Sequence, residues 1–160
     1  MRWTFPGVGM LLVMCVAAPI GAADDAPLGR AKLNPVEYQP QRVVYDVAAS
    51  GIEEFSRVLD RASFLKNIYH ANPFDTSIVL VLHGDEIPLF AIESYDQHKE
   101  LMTRARSLGL DGIIEYRMCG VAARQHGLEP EDIHGFVEIV PMADAEIVRL
   151  QQEEGHVYMR

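Results

Sequence analysis

From Arg42 onward the apolar positions change period repeatedly, between the alternation or unbroken runs of strands and the spacing of about 3.6 residues that marks helices. Val43-Val44-Tyr45-Asp46-Val47 predicts a first strand. Ser50-Gly51-Ile52-Glu53 then has the spacing of a capping box, and Phe55, Val58, Leu59, Ala62, Leu65 and Tyr69 follow as one helical stripe. Ser77 to Leu82 is a continuous apolar run, the mark of a central strand covered on both faces, and it ends at His83-Gly84-Asp85. In Ile87-Pro88-Leu89-Phe90 the proline argues for an edge or a loop. Ser94 with Gln97 repeats the capping pattern before Leu101, Met102, Ala105 and Leu108, and Gly109 suits a left-handed stop. Asp111 to Met118 predicts a strand that runs into Cys119-Gly120, and Val121 to His126 a short helix closed by Gly127. Phe136 to Val140 reads as a strand, Pro141 to Gly155 as a last helix through Ile147 and Leu150, and Val157-Tyr158-Met159 as a short final strand. This alternation, with short connections, predicts an α/β domain: a mostly parallel sheet of about five strands with helices on both faces. Functional loops in such sheets lie at the carboxyl ends of the strands, where His83-Gly84 and Cys119-Gly120 both fall.

The residues before Arg42 follow other patterns. Arg2 precedes an apolar run from Gly9 to Ala18, then Pro19 and the small residues Gly21-Ala22-Ala23, which is the order of a cleaved secretory signal covering residues 1–23. The run is too short for a membrane span of roughly 20 residues, and no later segment approaches that length. A lipid anchor on Cys15 is disfavoured by Met14, where a small residue is needed. Residues 24–41 hold Pro27, Gly29, Pro35 and Pro40 with few aliphatics and read as a flexible lead to a domain covering 42–160.

Charge and cysteine usage narrow the functions. The formal net charge is −9, and loss of Arg2 with the signal makes the remainder one unit more acidic, so phosphate backbones and anionic lipid surfaces are poor partners. Removal of Cys15 leaves Cys119 alone, without an intrachain disulfide partner in an oxidising compartment. At a strand-to-helix junction this thiol is a candidate nucleophile, favoured as thiolate by free backbone N–H groups around Gly120 and Val121; the alternative is an inert cysteine filling a small core space. His83 is placed to take a proton, and Gly84 to let a ligand approach the backbone; a surface histidine is the competing reading. Asn67 and Arg124 are weaker binding candidates that also fit a solvated face. The remaining histidines lack the paired spacing of a zinc helix, and the sequence holds neither a phosphate-cradling loop nor a dinucleotide fingerprint, so no metal or cofactor is expected.

The strand ending Val81-Leu82-His83-Gly84, the strand ending in Cys119, and the tail from Val140-Pro141 through Leu150-Gln151 and Gly155 to Tyr158 resemble the DsrE/DsrF-like family of small sulfur-relay domains across residues 42–159. The resemblance implies a three-layer α/β sandwich, assembly as a trimer or hexamer, and a persulfide-carrying cysteine, here Cys119, with a small sulfur compound or a partner thiol protein as exchange partner. The expectation is thus a periplasmic sulfur carrier. A non-catalytic oligomeric module that binds a small ligand or partner, with Cys119 structural, is the rival. A thiol-dependent hydrolase using Cys119 and His83 would need an orienting carboxylate, and none is evident in the sequence. Export makes one direct prediction: amino-terminal sequencing of the native protein should begin at or near Asp24, and an intact Met1 would remove the case for a cleaved signal.

Overall fold

The computed structural model of the protein describes residue 1 and residues 26–70 and 72–160. Apart from Met1, the segment read as a signal peptide lies outside the described residues. The chain divides into units of residues 1–36 and 37–160. Within the first, residues 26–36 carry a turn at Pro27–Leu28 and no helix or strand.

The second unit holds five strands, β1 (Arg42–Val47), β2 (Ser77–Leu82), β3 (Ile114–Cys119), β4 (Val137–Val140) and β5 (Val157–Met159), with helices α1 (Ile52–Ile68), α2 (Tyr95–Leu108), α3 (Gly120–Gln125) and α4 (Ala143–Glu153). All strand pairs are parallel, in the order β4-β3-β2-β1-β5. The chain steps outward from β1 to β4 and then returns through α4 to the other side of β1, so the winding reverses direction there.

Neighbouring residues of β3 show which helices cover which face. The Tyr116 hydroxyl donates to the Ala105 carbonyl of α2 at 2.7 Å, whereas Arg117 turns the other way, to Glu146 of α4. α1 joins α2 on the first face, where Arg104 binds Asp60 and donates to the Ser56 hydroxyl at 3.3 Å. Five of the six β2 residues are fully buried, as a strand enclosed by two helical layers requires. Phe55 and Phe90 meet edge to face, 5.1 Å between centroids, and Tyr116 and Phe136 extend the cluster. Among the described residues no helix is long and apolar enough to cross a membrane.

Several local details differ from the sequence reading. Neither capping box forms. Gly51 is the residue before α1, and Ser50 engages Glu54 with both its amide (2.9 Å) and its hydroxyl (2.8 Å), one position beyond the expected Glu53; Ser94 makes no side-chain cap. Gly109 ends α2 at φ −92°, not left-handed. The glycine is needed for space, since a Cβ there would sit 2.9 Å from the Ile114 carbonyl oxygen. Ile87–Phe90 forms a short 3-10 turn whose Ile87, Leu89 and Phe90 are buried. The strand expected from Asp111 begins only at Ile114, the one expected from Phe136 begins at Val137, and the helix expected from Pro141 begins at Ala143.

The double enclosure of β2 predicts the cost of thinning it. Leu80→Ala should lower unfolding free energy by about 2–5 kcal/mol in urea titrations, through lost burial and a residual cavity. Phe64→Ala, at a side chain 65% exposed on α1, should stay within about 0.5 kcal/mol.

Candidate functional site

At the carboxyl edge of the sheet, β3 ends at Cys119, which is free, buried and 5% exposed. Its backbone is extended and forms the junction to α3, which begins at Gly120, one residue before the Val121 start expected from the sequence. Leu82 pairs with Met118, so the next residues, His83 and Cys119, stand at the same level on neighbouring strands. The ladder continues one step past β2, with the His83 amide donating to the Val47 carbonyl at 3.0 Å. Side chains alternate along a strand, which puts Cys119 on the face of Arg117 and α4.

His83 is held by a residue the sequence reading did not select. Its Nε2 lies 2.5 Å from Asp46 Oδ1, and the Tyr158 hydroxyl donates to Asp46 Oδ2, also at 2.5 Å. Burial disfavours the charged form of Asp46, but the hydrogen bonds from Tyr158 and His83 and the nearby positive charge outweigh it and hold the carboxyl below its usual range. An ionised carboxylate only accepts, so Nε2 carries the hydrogen and, in the neutral ring, Nδ1 is the basic nitrogen. Asp46 supplies the orienting carboxylate that a proton-moving histidine uses, and it does so at the reversal point of the sheet, between β1 and β5. Its sequence signal was a lone carboxylate inside an otherwise apolar strand.

The second unpredicted residue is Glu86, which is fully buried just beyond β2. Oε2 accepts from the Ala49 amide at 2.7 Å and Oε1 from the Gly84 amide at 3.0 Å, tying the loop after β1 to the loop after β2. Burial pushes this carboxyl above its usual value of 4.5 against the pull of those amides. Gly84 serves this closure: a Cβ there would lie 2.6 Å from both Ala48 Cα and Glu86 Oε2.

Of the remaining candidates, Gly120 is buried and Val121 is 41% exposed beside Cys119. The Arg124 side chain folds back toward them, its Nη1 only 3.4 Å from the position of a Cβ on Gly120. Asn67 does not join this group. It is the penultimate residue of α1, whose far end is fixed where Lys66 reaches the Leu108 carbonyl and Asp111, ahead of β3. His156 is a core residue, bonded to the Ser77 hydroxyl at 3.0 Å and the Leu150 carbonyl at 3.2 Å. Among the described residues no three His, Cys, Asp or Glu side chains are grouped to hold a metal.

The opposed environments of Glu86 and Asp46 predict a testable pH dependence. Because the folded pKa of Glu86 is raised, its contribution to stability is complete below the unfolded value near 4.5 and is lost as pH rises through the folded value. Asp46 has the opposite sign: its contribution is present above 3.8 and is lost as pH falls through its lowered folded value. Glu86→Gln places an NH2 against one of two backbone donors and should cost about 1–3 kcal/mol in urea titrations. The wild-type advantage should widen as pH falls from neutral toward 4.5. Gly84→Ala should cost about 1–3 kcal/mol through backbone displacement.

No family model matches the chain, and a search of curated proteins finds no match. Among solved structures, a protein of unknown function from Methanobacterium thermoautotrophicum is similar at a TM-score of 0.52 and 21% identity, over 75% of this chain and 98% of its own. That likeness places the present domain among known α/β folds and leaves its chemistry to be argued from its own residues.

Proposed function

We propose that the domain is an exported, DsrE/DsrF-like sulfur carrier in which Cys119 holds sulfane sulfur as a persulfide. The observation that supports this reading is the Asp46–His83 hydrogen bond at the level of Cys119, which orients an imidazole on the strand next to the free thiol. His83 Nδ1 takes the thiol proton. The Cys119 thiolate attacks a sulfane sulfur of a polysulfide, one S–S bond forms as another breaks, and the shortened chain leaves as a thiolate that accepts a proton. Attack by a partner thiol on the outer sulfur then returns Cys119 thiolate, and the cycle has no net oxidation. In this reading the amides of Gly120 and Val121 stabilise the anionic sulfur, with Arg124 Nη1 3.4 Å from a Cβ position on Gly120. Assembly as a homo-oligomer belongs to the same proposal.

The burial of Cys119, 5% exposed, favours a second reading: a ligand-binding or partner-binding module in which the thiol is packing material. Mass spectrometry after polysulfide treatment separates the two. Folded protein should gain about 32 Da per sulfur, dithiothreitol should reverse the gain, and Cys119→Ser should abolish it. His83→Ala should slow loading by about tenfold or more, and Asp46→Asn by less, because it removes orientation and leaves the base. A Cys119 that reacts with polysulfide and iodoacetamide only in urea leaves the packing reading in place.

A further inference from the structure

A groove lies away from Cys119. It runs beside α2, has a volume of about 910 Å³, and is lined by Tyr95, Met102, Arg106 and Leu110 and by His134 and Phe136. Tyr116, next to Arg117 on β3, points toward α2, so the groove and Cys119 belong to opposite faces of the sheet.

Three features of this groove point to a ligand. The volume lies in the range of small-molecule sites, with mostly apolar walls. Its aromatic wall is fixed: His134 stacks on Phe136, centroids 5.9 Å apart and planes at 17°, meets the Tyr95 ring edge-on at 5.4 Å, and anchors its amide on the Phe90 carbonyl at 3.1 Å. Two of its polar side chains lack a hydrogen-bonding partner among the described residues. His134 Nε2 is buried without a hydrogen-bond partner, a standing cost in a finished interior. The Arg106 side chain has no ion pair or hydrogen bond among the described residues, in a chain with 23 acidic and 14 basic side chains. The carboxylates that border the adjoining recess, Glu115 and Glu138, are turned to Arg117 at 2.9 and 3.5 Å.

We propose that this groove binds a small planar aromatic carboxylate, its ring system against Phe136 and Tyr95 and its carboxylate on the Arg106 guanidinium. The planar fork of arginine matches a carboxylate with two parallel hydrogen bonds. Rigid aromatic walls hold a flat body with little ordering cost.

The test is an NMR titration of the 15N-labelled full chain with 2-naphthoate, using 2-naphthamide as its neutral counterpart. Saturable shifts are expected at Gly135, Phe136, the Arg106 Nε–H and the His134 ring, with naphthoate bound at least about tenfold more tightly than the amide. Arg106→Leu should erase that preference, and Cys119→Ser should leave it unchanged. Equal affinity for the two probes, a preference that survives Arg106→Leu, shifts centred elsewhere, or no saturable shift at millimolar probe would overturn the assignment.

Discussion

The enclosure of β2 on both faces is the constraint from which the rest of the architecture follows. A strand with no solvent face needs a paired neighbour on each side and a helical layer above and below, and β1, β3, α1, α2 and α4 supply these. Only the strand ends then remain open for backbone groups to leave the ladder. Polar groups that cannot be housed in the core collect there: His83 continues β2, Cys119 ends β3, and Glu86 ties the loop after β2 to the loop after β1. Arg117, a charge carried into the layers by β3, is tolerated because Glu115, Glu138 and Glu146 surround it.

The strand-end cluster draws its character from opposed solvation. Asp46 sits where two hydrogen-bond donors lower its pKa, while Glu86, a short distance along the same edge, is buried deeply enough that its pKa is raised. Two carboxyls of nearly the same intrinsic acidity therefore do different work. One orients an imidazole, and the other ties two loops whose backbones approach so closely that only glycine fits at position 84.

Much of this was legible in the sequence, and the parts that were not share a cause. The run Ser77–Leu82 and the left-handed Gly127 and Gly155 report on burial and local backbone geometry, and each stands where the pattern put it. Cys119 and His83 were found because strand ends are visible from periodicity. Asp46, Tyr158 and Glu86 were not, because each is defined by a partner on another element. A carboxylate in a turn such as Asp85-Glu86 has the same local signature whether it faces water or two backbone amides. Gly109 shows the converse: a glycine after a helix suggests left-handed geometry, yet here the tight approach of Ile114 demands it.

The hydrogen bond between Tyr158 and Asp46 joins residues 112 positions apart. Forming it closes almost the entire domain into a loop, which places it among the entropically most demanding contacts in the molecule. The imidazole that rests on Asp46 therefore gains its full support only after β5 has docked against β1. A domain in which β5 has come away from β1 keeps its fold-defining strands β1 to β4 and loses one of the two side-chain hydrogen bonds that hold the Asp46 carboxylate in place.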